Sequence, residues 1–258
     1  MKSGFVNRAS VLYDAALALL YPQSCAVCGA SVEARFDGVT CGACWEKTLI
    51  FSAEDLVCWK CGVLAPGRVP EEKRREVRCR RCDEESYTAA RACGAYKGAL
   101  RAHILALKRE PHIPRRLAHL LFETQQREPL NNVTRIVPVP LHDARLRERG
   151  FNQAGEIANA LSKLSGLTVD EWSLVRAMHT ERHRTGMDKL ARRESVENAF
   201  EVRRPRLVEN ENILLIDDVF TTGATVSACA RELKNAGASN VFVLTIARPI
   251  EQRLEARG

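Results

Sequence analysis

The sequence predicts an α/β fold, an open, doubly wound and mostly parallel sheet, preceded by a separate cysteine-rich module. Three observations predict it. From residue 135 onward, short aliphatic runs alternate with helical patterns, the order of parallel crossover units. The runs ILLID (213–217) and NVFVLTIA (240–247) are apolar enough to be buried strands. Eight of the ten cysteines form four CxxC pairs, all between residues 25 and 82.

Composition bounds the rest. A chain of 258 residues has room for one large or two unequal domains. Its 45% apolar fraction is ordinary for a chain that buries a core. A net charge of +7 and a pI of about 9.0 favour anionic partners such as nucleotides, phosphates or nucleic acid.

At the N-terminus, Lys2 and Arg8 precede VLYDAALALL (11–20), which loosely suggests a leader peptide. Asp14 interrupts the apolar run, and Pro22, Gln23 and Ser24 make a poor cleavage site before Cys25. Val11, Leu12, Ala15, Ala16, Leu19 and Leu20 instead fit one face of a short packing helix. No later stretch approaches the roughly 18 apolar residues of a membrane span, and the chain is read as cytoplasmic.

Cys25-x2-Cys28 and Cys41-x2-Cys44 are separated by twelve residues, Cys58-x2-Cys61 and Cys79-x2-Cys82 by seventeen. Paired knuckles at this spacing place four thiolates tetrahedrally around Zn2+, so two structural zinc sites are expected. Gly29, Gly42 and Gly62 are read as supplying the tight turns. Disulfides need a secretory context, and an iron–sulfur cluster normally has a more compact spacing. Sequential pairing is the simplest arrangement, and crossed pairing fits the same spacing. Closed four-thiolate sites leave no open position for substrate, so the module is structural or an interaction surface. The charged stretch 68–85, with Arg78, Arg80 and Arg81, reads as a solvated loop, with nucleic-acid contact as the alternative. Cys93 and Cys229 stand alone, Cys229 on an apolar helical face.

A short strand is expected around 91–96, then helix over 100–110, ended by Pro111 and Pro114. Lys108 and Arg109 fall at that helix end, within reach of a phosphate or simply complementing the helix dipole. RIVPVPL (135–141) reads as a strand and 141–153 as a basic loop. Residues 154–166 read as a helix with Ile157, Ala158, Leu161 and Leu164 inward and Gly166 at its end. Residues 225–237 read as a helix with Val226, Cys229, Ala230, Leu233 and Ala236 facing the sheet.

The stretch ILLIDDVFTTGAT (213–225) carries the chemistry. Asp217 and Asp218 end a strand, and ligands in such sheets bind beyond the strands' carboxyl ends. Thr221, Thr222, Gly223, Ala224 and Thr225 form the turn into a helix N-terminus, a ready phosphate site. Two carboxylates beside a phosphate make sense when they accept hydrogen bonds from vicinal hydroxyls, as on a ribose, or hold a metal through water.

This stretch resembles the phosphoribosyl pyrophosphate (PRPP) motif of type I phosphoribosyltransferases. With the cysteine pairs, the chain looks like the ComF family: a double zinc ribbon fused to a domain of the type I phosphoribosyltransferase fold. PVPL (138–141), RLRERGFNQ (145–153), RTGMDKLARRESVENAF (184–200), YKG (96–98) and LK (107–108) also resemble that family. The division implied is an N-terminal helix (1–24), a double zinc ribbon (25–85), a phosphoribosyltransferase-like domain (86–250) and a tail (251–258).

By that resemblance, Leu141, Arg147, Arg149, Gly150, Asn152 and Gln153 would face the pyrophosphate. Residues 179–198 would form a hood, with Arg182, Arg184, Lys189, Arg192 and Arg193 and a hinge at Gly186. A basic hood suits a departing pyrophosphate, and Mg2+ is expected with it. Phosphoribosyl transfer needs no strong nucleophile, so the lack of a Ser–His–Asp set excludes nothing. Glutamine hydrolysis is not expected, because the chain begins Met1-Lys2 and lacks an N-terminal catalytic Cys. Two function classes stay open: a transferase or salvage enzyme of nucleotide metabolism using PRPP, or a PRPP sensor handling single-stranded DNA or meeting competence and DNA-processing proteins. The resemblance implies competence and DNA uptake, and basic charge is compatible with it. Aromatics at 6% give little sign of a stacking platform.

Overall fold

The computed structural model describes residues 23–80, 82–177 and 199–250. Arg81, the expected N-terminal helix, Arg182, Arg184, Gly186, Lys189, Arg192, Arg193 and the tail from 251 lie outside the described residues.

Five strands make one sheet: β1 (Ala89–Ala95), β2 (Arg135–Pro138), β3 (Thr168–Val169), β6 (Asn212–Val219) and β7 (Asn240–Arg248). Their order is β1-β7-β6-β2-β3, and every neighbouring pair is parallel. A parallel sheet is covered on both faces, which is why its strands are nearly continuous aliphatic runs. Ile213, Leu214, Leu215 and Ile216 of β6 are fully buried, as are Val241, Val243, Leu244 and Ile246 of β7. A second, two-stranded antiparallel ladder pairs β4 (Leu174–Arg176) with β5 (Phe200–Val202), bracketing residues 178–198.

The helices are α1 (Gly42–Glu46), α2 (Gly98–Leu107), α3 (Arg115–Gln125), α4 (Asp143–Arg149), α5 (Gln153–Ser165) and α6 (Ala224–Asn235). From β2 the chain runs through α5 to β3 on one side; from β6 it runs through α6 to β7 on the other. Right-handed crossovers in opposite directions put α5 and α6 on opposite faces. The direction reverses between β2 and β6, and it is beyond the carboxyl ends at such a switch point that sheets of this kind bind ligands.

Two expectations change here. The basic loop at 141–153 contains the helix α4, which ends in Gly150 at φ +78°. Leu164, expected inward, is 38% exposed: α5 turns it past the edge of its apolar stripe, while Ile157, Ala158 and Leu161 are fully buried. Gly166 does terminate α5 in the left-handed conformation, and Cys93 and Cys229 are core residues.

The cysteine module is sewn to the sheet rather than tethered beside it. Ile50 bridges Gly94, Phe51 N–H donates to the Cys93 carbonyl at 2.9 Å, Ala95 N–H to Leu49 at 2.9 Å, and Ala90 N–H to Lys60 at 2.7 Å. Thr48 Oγ1 accepts the Ala99 N–H at 2.9 Å, at the start of α2. Trp45, buried, stacks at 5.0 Å from His103 and lies under Arg116, which pairs with Asp37 at 2.7 Å.

Candidate functional site

Asp217 and Asp218 occupy the last turns of the β6 ladder, with Asp217 beside Thr245 of β7. A strand this buried brings its terminal carboxylates to the switch point half-desolvated. The Asp218 N–H donates to Asp217 Oδ1 at 2.9 Å. Burial and the neighbouring Asp218 charge push the Asp217 carboxyl up to about 8, with the more distant Lys108 opposing. The ligand-free site therefore holds one carboxyl mainly protonated at neutral pH. Lys108 follows α2 directly, at the helix end where the sequence placed it.

The turn after β6 is built for an anion. Gly223 is the N-cap of α6 with φ +84°, a left-handed conformation that favours glycine. The N-cap glycine has no side chain to cap this end and no acidic residue lies in its first turn, so apart from the Ala224 N–H, which donates to Thr222, α6 presents its terminal N–H groups and positive pole. Thr222 Oγ1 is 3.4 Å from the Ala224 N–H. Beneath the turn lies Phe220, whose ring sits 3.0 Å from where a Gly223 Cβ would be. The glycine is thus required by backbone conformation and by the ring.

Across the switch point, the loop after β2 stays in register, Val139 N–H donating to the Ile216 carbonyl at 2.9 Å. Asn152 is committed locally: its Nδ2 donates to the Val139 carbonyl at 3.1 Å and its Oδ1 caps α5 by accepting the Ala154 N–H at 3.1 Å. It shapes the loop that presents Leu141, Arg147 and Gly150. Gln153 is buried, and its Nε2 has no partner among the described residues. Arg176 of β4, which the sequence did not flag, sits over the Phe200 ring at 5.3 Å. Burial and nearby Arg145 lower its guanidinium from the ordinary value, while Cys229 and Asp217 act the other way. A lone arginine in SLVRAM offers no signal in the sequence.

The eight knuckle cysteines form two groups by sequential pairing: Cys25, Cys28, Cys41 and Cys44, and Cys58, Cys61, Cys79 and Cys82. Within each group all four Sγ atoms lie within 4.8 Å of one another. Tetrahedral zinc with Zn–S near 2.3 Å requires S···S separations of about 3.8 Å. Cys28–Cys41 is at 3.7 Å, Cys58–Cys82 at 3.6 Å and Cys61–Cys79 at 3.5 Å. Backbone N–H groups point at sulfur, Cys41 to Cys25 at 3.3 Å and Cys79 to Cys58 at 3.2 Å. Burial opposes ionisation of Cys25, but the N–H groups of Cys41, Cys28 and Val27 outweigh it and lower the thiol to about 6. The two clusters fit two structural zinc sites. Gly29 and Gly62 make the left-handed turns expected of them, whereas Gly42 opens α1.

A phosphoribosyl transferase domain profile matches residues 109–258, and a double zinc ribbon profile matches residues 16–83. "DNA utilization protein YhgH" of Salmonella typhimurium is 32% identical over 158 residues, 59% of this chain and 67% of that protein. "Competence protein F" of Haemophilus influenzae is 31% identical over 144 residues, 53% of this chain and 61% of its own. "Competence protein ComFC" of Bacillus subtilis is 36% identical over 114 residues, 44% of each chain. Among solved structures, the APRTase from Giardia lamblia aligns with a TM-score of 0.34 at 20% identity, over 62% of this chain and 71% of that one. Among the described residues, no helix is long and apolar enough to cross a membrane.

Proposed function

We propose, for a chain that belongs to the phosphoribosyl transferase domain family with a double zinc ribbon ahead of that domain, that it binds PRPP beyond the carboxyl ends of β2 and β6 and works in DNA uptake or utilisation. One observation carries the reading: paired carboxylates and a helix N-terminus share one turn, Asp217 to Thr225, at the sheet's switch point. In this reading the N–H groups of Thr221, Thr222, Gly223, Ala224 and Thr225 receive the 5′-phosphate. Asp217 and Asp218 accept the ribose hydroxyls. Arg147, Arg149, Gly150 and Leu141 face the pyrophosphate side, with Gln153 Nε2 a further donor. Mg2+ neutralises pyrophosphate, and Lys108 and Arg176 balance the acids. These groups orient PRPP and exclude water; none is placed as a nucleophile, in keeping with a reaction of oxocarbenium character. The working compartment is cytoplasmic, where thiolate zinc sites persist. Isothermal titration with PRPP, with and without Mg2+, tests the reading: saturable 1:1 binding supports it, and no heat at millimolar PRPP removes it.

A second reading, single-stranded DNA handling, is favoured by the names of the relatives and by the +7 charge. Arg78 and Arg80 are exposed on the second ribbon. Affinity for an oligonucleotide should fall steeply with salt, and charge-neutral substitution of these arginines should flatten that slope. Binding that is absent at low salt excludes it.

A further inference from the structure

We infer that the second cysteine knuckle sets the shape of the phosphate turn through Arg248 and Phe220, which are positioning residues for the PRPP site. The inference rests on the reading that Thr221 to Thr225 receive the 5′-phosphate. Cys61 belongs to the second cluster, and its carbonyl accepts a hydrogen bond from Arg248 Nη1. Arg248 ends β7 and is only 8% exposed. Its guanidinium lies 5.1 Å from the centroid of the Phe220 ring. That ring is 5% exposed and is the one against which a Gly223 Cβ would press. Phe220 N–H is held by the Ala247 carbonyl at 2.9 Å, and Tyr87 meets its ring edge-on at 5.9 Å. Tyr87 is 2% exposed and stands five residues beyond Cys82. From the Cys61 carbonyl to the turn, the path is one hydrogen bond, one cation–π contact and the close approach of the Phe220 ring to Gly223.

The direction of the Cys61 carbonyl comes from the knuckle itself. Gly62 N–H donates to the Cys58 carbonyl, and Cys58 N–H to Val63, both at 2.8 Å. Gly62 turns at φ +68°, where a Cβ would stand 2.5 Å from the Ala90 carbonyl oxygen. Such a turn is held by four thiolates gathered on one ion; without it the loop is free to open. Arg248 Nε has no partner among the described residues, so the Cys61 carbonyl and the Phe220 ring are its recorded neighbours on this path. A buried guanidinium that loses its acceptor must move, and the ring under the turn moves with it. The first knuckle differs: it reaches the domain through Trp45, His103 and Asp37, on the α2–α3 side. It is the internal control.

The full-length protein is compared with Arg248→Lys, Arg248→Met, Phe220→Leu, Cys79→Ser (second knuckle) and Cys28→Ser (first knuckle). Zinc content, amide hydrogen exchange at 221–226 and PRPP titration are measured on each. Arg248→Met, Phe220→Leu and Cys79→Ser should speed exchange in the turn without PRPP and weaken PRPP about tenfold, roughly 1.4 kcal/mol. Arg248→Lys keeps the charge but not the planar fork, and should fall between. Cys28→Ser should lose its zinc and leave turn and affinity within about twofold, since an indirect effect that small is 0.4 kcal/mol or so. Unchanged exchange in Phe220→Leu and Cys79→Ser overturns the inference, as does an equal effect of Cys28→Ser. If wild type binds no PRPP, the reading of the turn as a phosphate site fails, while the exchange data still decide whether knuckle and turn are coupled.

Discussion

Asp217→Asn separates a residue that serves the ligand from one that serves the fold. The wild-type carboxyl is pushed up to about 8, so at pH 7 about one molecule in eleven carries the charge that ribose hydroxyls bond to best. Across pH 7 to 9 the phosphates of PRPP keep their charge, their last pKa lying near 6. PRPP affinity of wild type should therefore rise about tenfold between pH 7 and pH 9 and then level. A charge-assisted hydrogen bond is worth roughly 1.5–3 kcal/mol, so Asp217→Asn should bind about 10- to 150-fold more weakly at pH 9. At pH 7 the gap should shrink to about 1- to 15-fold, because the wild type must first lose a proton. Stability runs the other way. The folded-state value lies above the ordinary 3.8, so the native protein holds the extra proton between about pH 4 and 8 and loses stability as pH rises through that window. Asp217→Asn removes this loss and should melt at a higher temperature than wild type at pH 9, with the difference vanishing toward pH 4. Titration calorimetry at four pH values, paired with thermal melts, measures both. A wild-type affinity flat across pH 7–9, or an Asn variant with the same slope, would refute the reasoning.

Metal analysis should return about two zinc per chain, and strong chelation should loosen β1 as well as residues 25–82, seen as faster amide exchange at 89–95; a zinc-free protein with unchanged exchange contradicts this. Gly223→Ala should cost about 1–2 kcal/mol from its left-handed backbone and weaken PRPP through the displaced Phe220 ring. Gly223→Val should be worse on both counts, and equal melting of all three proteins would show the turn to be unstrained. Asn152→Ala should lower stability by about 1 kcal/mol through the lost cap of α5, while Asn152→Asp keeps most of it; denaturant melts distinguish them.

The parallel strands were legible because burial on two faces writes itself as an uninterrupted aliphatic run. The knuckles were legible because four-thiolate geometry constrains spacing, although only their positions in space selected sequential pairing. The short polar elements were not. β3 spans two residues and β4 and β5 three each, too few for a period to show, and α4 has no buried residue to mark a face. The acids and the glycine of the turn were found from residue type and order. Phe220 stands within the stretch 213–225 but its packing role does not show there, and Arg248 comes to its ring only through tertiary packing. The fusion of ribbon to sheet was equally invisible, since the residues that make it, Leu49, Ile50 and Phe51, donate and accept with their backbones.

That seam also bears on solubility. β1 is the outermost strand of the sheet, with the sequence AARACGA and almost no exposed side chain. A strand of that kind, left bare, is a template on which another molecule's strand can pair. In this chain the backbone of residues 49–51 and Lys60 occupies the positions a stranger would take. The cover precedes β1 in the sequence, so during synthesis it is available before the edge exists. A ribbon left without zinc would leave that edge bare, so withholding zinc during expression should raise the insoluble fraction of newly made protein, and an unchanged soluble yield would count against it.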